Sequence, residues 1–438
     1  MRKHILISGR AGGGHGRSRP ELHENARTLR RLLLVTTMLG ALIAPAAARA
    51  DAVTQWNLNA SNAIFAVAAQ PPQLSVPHLA MVHGAIYDAV NAIDGGHEGY
   101  LLTPRLAEPF DSKDAAAATA AYRVLLHLFP AQQTMLDAQY AASLAAVPDG
   151  MQKTRGIAVG EGAAAAMIAA RTGDGRFGPA GFLTGTLPGV WRPVLPAFVN
   201  DPAAWLKHVK PFMLESPEQL RTKGPLPLDH PKYAREFQEV KSLGSLTSTS
   251  RTADQTHAAR YWAENPPATW SRVFRTLSGQ EGLSINENAR LFAMLYLSAA
   301  DALISVWNDK AHWLYWRPIT AIREADTDGN PRTEQDANWL PLIATPPYPE
   351  YPSGHTGLSG SIAATLQDFF KTDKVGWSDT NNAGLTRSFR RFSEAIDEIV
   401  DARIWSGIHF RTADEQGERI GKDVAKWREK HYFAALHN

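Results

Sequence analysis

Apolar residues recur at helical spacing through most of the chain. Segments with apolar positions three and four residues apart predict amphipathic helices. In the first half of the chain these segments are residues 77–93, 115–128, 131–146 and 156–172. In the second half they are residues 233–242, 253–262, 269–277, 286–307, 355–370, 383–402 and 413–430. Because alternating runs of Val, Ile and Thr are nearly absent, the pattern predicts an all-α helical bundle.

Two stretches without helical spacing separate these segments. Residues 173–232 are rich in Gly, Pro and Trp, and residues 324–352 are polar, so both predict long Pro/Gly-rich connections. Chemically distinctive motifs occur only after Ser284, which suggests an N-terminal helical region at 51–283 and a motif-bearing helical bundle at 284–438. We expect the two regions to pack side by side as one α-helical unit.

Positive charge is concentrated at the N-terminus, where residues 1–50 contain nine Arg or Lys and two Glu. A basic segment precedes the apolar run 32–43, and Ala48-Arg49-Ala50 follows as a small-residue cleavage site. This order predicts a signal peptide over residues 1–50 and an exported, periplasmic or extracellular protein. The alternative is a membrane anchor. The apolar run is shorter than the roughly 20 residues of a membrane helix, so no stable membrane span is expected.

Overall composition excludes several classes of protein. The chain contains no Cys, which excludes thiolate catalysis, Cys-ligated zinc and iron–sulfur clusters. The formal net charge of +2 gives no reason to expect nucleic acid as a partner. The remaining candidate chemistry lies in three clusters of the second half.

The first cluster contains two cations, Lys310 and Arg317, followed by Pro318. Seven residues are two helical turns, so a continuous helix would place both cations on one face about 10 Å apart. Two fixed cations on one face would form a cradle for a polyoxyanion. Pro318 is then expected to end or kink that helix.

The second cluster is Ser353-Gly354-His355, at the start of a predicted apolar helix. Free backbone amides and the helix dipole favour an anion at a helix N-terminus. Gly354 permits close approach of a ligand and Ser353 adds a hydroxyl group. His355 can donate or accept a proton near neutral pH.

The third cluster contains Arg403 and His409. Six residues do not bring these side chains together on an unbroken helix, so we expect a break at Gly407 and His409 in a turn between two helices. Thr412 with Glu415 three residues later predicts a capping box that opens the last helix.

Each cluster alone is also typical of plainer structure: a solvated helix face, a helix cap or a structural histidine. Together, Lys310-x6-Arg317-Pro318, Pro352-Ser353-Gly354-His355 and Arg403-x5-His409 resemble the signature of the vanadium-dependent haloperoxidases and the type 2 phosphatidic acid phosphatase superfamily. The surrounding residues 316–323, 326–330 and 346–355 are similar to the bacterial secreted haloperoxidase-like branch. The resemblance implies the helical bundle of those proteins.

The resemblance also implies a role for each motif residue. Three cations would neutralise the oxygens of bound vanadate, with phosphate as an alternative occupant, and Ser353 and the Gly354 amide would add hydrogen bonds. His409 would be the vanadium ligand of a peroxidase or the nucleophile of a phosphatase. His355 would be the acid–base partner, and Lys310 would polarise bound peroxide. The three cations are Lys310, Arg317 and Arg403.

Two positions depart from the family pattern, and one residue is a candidate for the halide pocket. Ala402 replaces the Ser that often precedes the motif Arg, and Ala413 stands where an acid is common, with Asp414 one residue later. A shift of one residue rotates a helical side chain by about 100°, which leaves open what orients His409. Tyr348 resembles an aromatic position of the halide pocket, although a packed Tyr in a Pro-rich turn is an equal alternative.

The sequence therefore supports three functions. The first is a vanadate-dependent haloperoxidase-like oxidoreductase that uses hydrogen peroxide and a halide or small organic substrate. The second is a secreted acid phosphatase with a phosphohistidine intermediate in the same pocket. The third is an inactive oxyanion-binding protein. A homo-oligomer is compatible with all three.

Overall fold

The computed structural model describes residues 51–103 and 107–436. The predicted signal peptide at residues 1–50 lies outside the described residues. The described chain is mainly helical, and the predicted all-α bundle is confirmed.

The helices connect in chain order through loops, short 3-10 turns and one hairpin. The first group is α1 (Ala52–Ser61), α2 (Pro72–Asp94), α3 (Lys113–Leu128), α4 (Gln133–Ala145), α5 (Met151–Ala170), α6 (Pro231–Leu243), α7 (Ala253–Tyr261) and α8 (Pro266–Glu281). The second is α9 (Ile285–Trp313), α10 (Pro318–Arg323), α11 (Gly354–Phe370), α12 (Phe392–Trp405) and α13 (Arg411–His431). A π-helical turn, Asn62–Val67, follows α1 directly. Strands β1 (Trp377–Thr380) and β2 (Thr386–Phe389) pair antiparallel.

Helix α9 is the central element of the core and packs against α2, α11 and α13. Its N-terminus is capped by Ser284, which forms a capping box with Glu287. The helix is long and apolar enough to cross a membrane. However, 94% of its most apolar 18-residue stretch is buried inside the protein, as in the core helix of a folded domain. The division of the chain near Ser284 stays a prediction.

Glycines allow α11 and α13 to pack closely. A Cβ atom at Gly417 would lie 2.3 Å from the carbonyl oxygen of Ser353, and one at Gly421 would lie 2.3 Å from that of Gly357. Real Cβ atoms do not approach an oxygen so closely. The Ser353 turn is therefore held directly against the first turns of α13.

Two local predictions are wrong. The segment 383–402 is predicted to be one helix, but α12 begins only at Phe392. The residues before it form the turn of the β1–β2 hairpin, in which Asn381 Oδ1 accepts two backbone N–H groups and Gly384 has a left-handed φ of 77°. The helix predicted over residues 77–93 begins earlier, because α2 starts at Pro72 and Pro77 lies inside it. The connection 173–232 agrees with its prediction, because the 3-10 turn Ala204–His208 is its one helical element before α6 begins at Pro231.

Candidate oxyanion site

The site lies where four parts of the chain meet. The last turn of α9 carries Lys310, and Arg317 is the residue before α10. Helix α12 carries Arg403, and His409 lies in the turn between α12 and α13. The start of α11 contributes Ser353, Gly354 and His355. The fold thus brings all of the sequence-predicted motif residues to one region.

Lys310 and Arg317 do not share a helix, contrary to the prediction. Helix α9 ends at Trp313, Leu314 has a left-handed φ of 48°, and Pro318 starts α10 instead of ending α9. Both cations are nonetheless fully buried, and both lie over the ring of Tyr348, at 5.2 Å and 4.9 Å from its centroid. The reversal at Leu314, and not a helical repeat, brings them together.

The Lys310 ammonium group is held by backbone carbonyls. Nζ donates to Pro349 O at 2.7 Å and to Glu350 O at 2.9 Å. An ammonium group has three donors, so one remains for a ligand. Burial, and next the charge of Arg317, lowers the pKa of Lys310 well below its usual value.

Arg317 contacts His409 directly. Its Nε donates to Tyr348 O at 2.8 Å, and Nη1 donates to Ile408 O at 2.8 Å and lies 3.2 Å from His409 Nε2. Its Nη2 has no acceptor among the described residues. Burial lowers the pKa of Arg317 to about 10, so the guanidinium stays charged near neutral pH.

The break predicted at Gly407 is confirmed. Helix α12 ends at Trp405, Gly407 adopts a left-handed φ of 81°, and α13 begins at Arg411. A Cβ atom at Gly407 would lie 2.4 Å from Gly244 O, so both the backbone angle and the close approach require glycine. His409 is buried in the resulting turn. Burial, and then the charge of Arg317, lowers its pKa well below the ordinary value.

The second motif forms the N-terminus of α11. A Cβ atom at Gly354 would lie 2.7 Å from Cζ3 of Trp307, so packing against this indole requires a glycine. Ser353 Oγ and His355 Nε2 are buried and have no hydrogen-bond partner in the described part of the chain. Burial, and next Arg403, lowers the pKa of His355 well below its usual value.

Arg403 reaches the site from α12. Its Nη1 donates to the carbonyl oxygen of Trp262 at 3.2 Å, and the Trp262 ring lies edge-on to His355 with centroids 6.1 Å apart. Arg403 Nε has no acceptor within residues 51–103 and 107–436. Burial lowers the pKa of Arg403.

Sequence reasoning missed Glu350. This residue is buried, and its Oε1 accepts from Phe410 N at 2.9 Å and lies 3.0 Å from His409 Nδ1. Burial raises the pKa of Glu350 to about 8. The signal that could have found it is a lone acid in an otherwise apolar, Pro-rich run directly before Ser353.

Asp414, the displaced acid of the third motif, does not contact His409 by a hydrogen bond. Its two carboxyl oxygens are buried and make no hydrogen bond of ordinary geometry with the described residues, but the nearby Ser353 hydroxyl and Arg403 guanidinium both favour the charged form. Burial raises its pKa well above the ordinary value. The carboxyl group on the His409 ring is therefore that of Glu350.

The predicted capping box at Thr412 and Glu415 is wrong. The residue before α13 is Phe410, and its side chain forms no cap. Instead, Thr412 donates its N–H at 3.1 Å and its hydroxyl at 2.6 Å to Glu236 of α6. Glu415 pairs with Lys232 at 3.1 Å. A carboxylate from another helix thus takes the capping position.

The chemistry of the donor set fits an oxyanion. Buried donors without an acceptor, namely Arg317 Nη2, Arg403 Nε and Ser353 Oγ, lie on motif residues around one imidazole. Among the described residues, no three His, Asp or Glu side chains cluster as a divalent cation would require. Vanadate and phosphate, which present oxygens to donors, match this set.

Sequence comparisons agree with this chemistry. Residues 290–438 match the family model described as the VCPO second helical-bundle domain. Over 192 residues, or 38% of this chain, the sequence is 28% identical to vanadium chloroperoxidase from Curvularia inaequalis. The chain thereby spans about a third of that curated relative, 31% of its length.

Solved structures with the same fold cover nearly the whole described chain. A bacterial vanadium-dependent iodoperoxidase superposes with a TM-score of 0.77 at 22% identity, over 88% of this chain and 98% of that one. A holo-type bacterial vanadium-dependent chloroperoxidase superposes with a TM-score of 0.69 at 17% identity, over 89% and 98%. The resemblance to the vanadium-dependent haloperoxidases is confirmed, in the second helical bundle and in the fold.

Proposed function

We propose that this chain, which carries the second helical-bundle domain of the vanadium chloroperoxidases, binds vanadate and oxidises a halide with hydrogen peroxide to a hypohalous-acid equivalent. The observation that carries the proposal is the group of buried donors without an acceptor on Arg317, Arg403 and Ser353. Leaving such donors unsatisfied is costly, so a bound oxyanion would complete them. The vanadium haloperoxidase neighbours favour vanadate as that oxyanion.

Each cationic side chain would compensate negative charge on the oxyanion. Arg317 and Arg403 would donate through the free Nη2 and Nε atoms, and Lys310 through its third ammonium hydrogen. Ser353 Oγ and the amides at the start of α11 would add hydrogen bonds, helped by the helix dipole. When bound, vanadate would supply an electrophilic centre that activates hydrogen peroxide toward halide, while vanadium keeps its oxidation state.

The two histidines would divide the remaining work. His409 would ligate the oxyanion through Nε2, in exchange for its contact with Arg317 Nη1 at 3.2 Å, because Nδ1 is held by Glu350. His355 is neutral near pH 7, since burial and Arg403 lower its pKa, and its Nε2 has no described partner. It is therefore suited to accept a proton from peroxide and return it to the leaving oxygen.

Tyr348 is our candidate for the halide pocket. Its ring lies 4.9 Å from the ring of Trp307 and is flanked by Lys310 and Arg317. Two cations beside an aromatic surface provide an environment in which a large, weakly hydrated anion can be held. The preferred halide follows from the assay below.

A phosphatase is the second candidate, and the contact between Glu350 and His409 favours it. A histidine that attacks phosphorus benefits from an acceptor on its other ring nitrogen, and the Glu350 carboxyl oxygen supplies one. Vanadate resembles the five-coordinate state of phosphoryl transfer, so one donor set serves both reactions.

One assay separates these functions. Purified protein is incubated with orthovanadate and tested for peroxide-dependent bromination and iodination, with a parallel assay of phosphate-ester hydrolysis. Halogenation that needs vanadate and is suppressed by phosphate is the expected result. Hydrolysis that vanadate inhibits, without halogenation, would support the phosphatase. Anion binding with neither activity would indicate an inactive oxyanion-binding protein.

We also propose that the protein is exported and that cleavage follows Ala50. Asp51 caps α1 by accepting from Thr54 N at 2.9 Å, and it accepts from Asn288 of α9 at 2.8 Å, so the residue after the expected cleavage site is anchored in the helical unit. N-terminal sequencing of secreted protein should begin at Asp51. Intact protein that retains residues 1–50 in the cytosol would contradict export.

A further inference from the structure

Both ring nitrogens of His409 have buried partners. Oε1 of Glu350 lies 3.0 Å from Nδ1, and Nη1 of Arg317 lies 3.2 Å from Nε2. The same Oε1 accepts the backbone N–H of Phe410 at 2.9 Å, so the carboxyl group is anchored to the turn that carries the histidine. The ring is therefore held from both sides.

These contacts determine which ring nitrogen carries the proton. A guanidinium group can only donate, so Nε2 of His409 must accept from Arg317 through its lone pair. In a neutral imidazole the hydrogen is then on Nδ1, where it is donated to Oε1 of Glu350. The geometry thus selects the Nδ1–H tautomer and leaves the Nε2 lone pair on the side of the cations.

We propose that Glu350 is the positioning residue of the site: it holds the His409 ring in the Nδ1–H tautomer with Nε2 directed at the oxyanion. Its backbone also positions Lys310, because Glu350 O accepts from Nζ at 2.9 Å. One residue therefore aligns both the oxyanion ligand and a cation. For its effect on vanadate the inference rests on the proposed function.

The acid on the His409 ring does not come from the third motif. Ala413 occupies the place where an acid is common in the family, and Asp414 makes no hydrogen bond to the ring. Glu350 reaches the same ring from five residues before His355, on a different segment of the chain. In this chain the carboxyl group on His409 therefore comes from position 350 and not from the start of α13.

The test measures the tautomer directly, in the protein without added anion. The protein is labelled with ¹⁵N-histidine, and long-range ¹H–¹⁵N spectra identify the protonated nitrogen of His409, assigned by its loss in His409→Ala. Glu350→Gln keeps an acceptor oxygen, Glu350→Leu removes it at similar size, and Asp414→Asn changes the other buried acid. Orthovanadate affinity is measured on each variant by calorimetry.

The wild type, Glu350→Gln and Asp414→Asn should show the Nδ1–H form. Glu350→Leu should lose it and bind orthovanadate roughly tenfold or more weakly, the usual effect of removing a partner behind a ligand histidine. An Nε2–H form in the wild type, or a Glu350→Leu variant with unchanged tautomer and affinity, would overturn the proposal. If Glu350→Leu does not fold, the spectra of the wild type and Glu350→Gln decide.

This design separates the two hypotheses. The tautomer is read without vanadate, peroxide or halide, so absence of halogenation by the wild type would contradict the proposed function alone. A wild type that halogenates but shows the Nε2–H form would contradict the role of Glu350 alone.

Discussion

Two buried arginines, Arg171 and Arg317, differ in how far the protein supplies acceptors for their guanidinium groups. Arg171, in the loop after α5, is satisfied within the protein: Nε donates to Asp174 at 2.8 Å, and Nη1 and Nη2 donate to the carbonyls of Pro211 and Lys210 at 3.2 Å and 2.6 Å. Its guanidinium also stacks over the Phe212 ring at 3.9 Å. Its charge and its donors are both accounted for.

Arg317 is as deeply buried, but its described hydrogen bonds go to two carbonyl oxygens and an imidazole, and Nη2 has no acceptor among the described residues. The contrast distinguishes structure from site. An arginine that stabilises the fold has its charge neutralised by the protein, whereas an arginine that binds an anion is left with charge and donors to offer.

The largest expected effect comes from removing the imidazole of His409, which Arg317 contacts. His409→Ala should lower turnover, whether halogenation or ester hydrolysis, by on the order of a thousandfold or more, because the group that contacts the oxyanion is lost. Steady-state rates and circular dichroism of the same preparation measure activity and folding together. Retained turnover in the folded variant would refute the site.

The contribution of Arg171 to the stability of the fold is tested by Arg171→Leu. Arg171→Leu should cost about 1–3 kcal/mol of unfolding free energy, because the buried carbonyls of Pro211 and Lys210 lose their donor while Asp174 keeps its pair with Arg176. Chemical denaturation measures the change. The control is Arg123→Leu, which breaks an exposed pair with Glu161 and should cost less than about 1 kcal/mol. Equal effects would remove the distinction between the two classes of arginine.

The arginines of the oxyanion site are tested by adding orthovanadate. Orthovanadate at about 100 times its dissociation constant should stabilise the wild type by about 2.7 kcal/mol. Arg403→Gln should lose less stability without anion than Arg171→Leu, because the nearby acid Asp414 makes no hydrogen bond with this cation. The same variant should gain much less from orthovanadate. Differential scanning fluorimetry over an anion titration measures both, and a large loss of stability without anion would place Arg403 with Arg171.

A smaller effect extends the contrast to histidines of the core. His83 Nε2 accepts from Asn57 Nδ2 at 2.9 Å, the ring stacks on Tyr296, and burial lowers its pKa to about 3. The unfolded chain takes up a proton here below about pH 6.5, whereas the folded chain does not, so this residue contributes a loss of stability as pH falls from 6.5 toward 3. His83→Gln should reduce the slope of unfolding free energy by about 1.4 kcal/mol per pH unit in that window. Denaturation at pH 7, 6 and 5 measures the slope, and an unchanged slope would contradict the assignment.

The sequence predicted the parts of the site that depend on local chain geometry. A glycine between two helical segments indicated the break at Gly407, and the start of an apolar helix placed Ser353 and His355 at a helix N-terminus. These features follow from helix periodicity and backbone preference within a few residues. They are therefore visible in one sequence.

Features that depend on contacts between distant segments were not predicted. No glycine or asparagine marks position 314 as left-handed in the sequence, so Lys310 and Arg317 are predicted to lie on one helix. The carboxylate that caps α13 comes from Glu236, 176 residues before Thr412, and that on His409 comes from Glu350, 59 residues away. Local pattern cannot identify partners at such separations, which tertiary packing alone decides.

The close approach of α11 and α13 has a consequence for how this protein can change. Gly417 and Gly421 touch no proposed ligand, yet any larger residue there would act as a wedge that moves Ser353 away from His409. In a saturation mutagenesis screen for activity, both positions should therefore tolerate as few residues as the histidines. Their intolerance would reflect shape instead of chemistry.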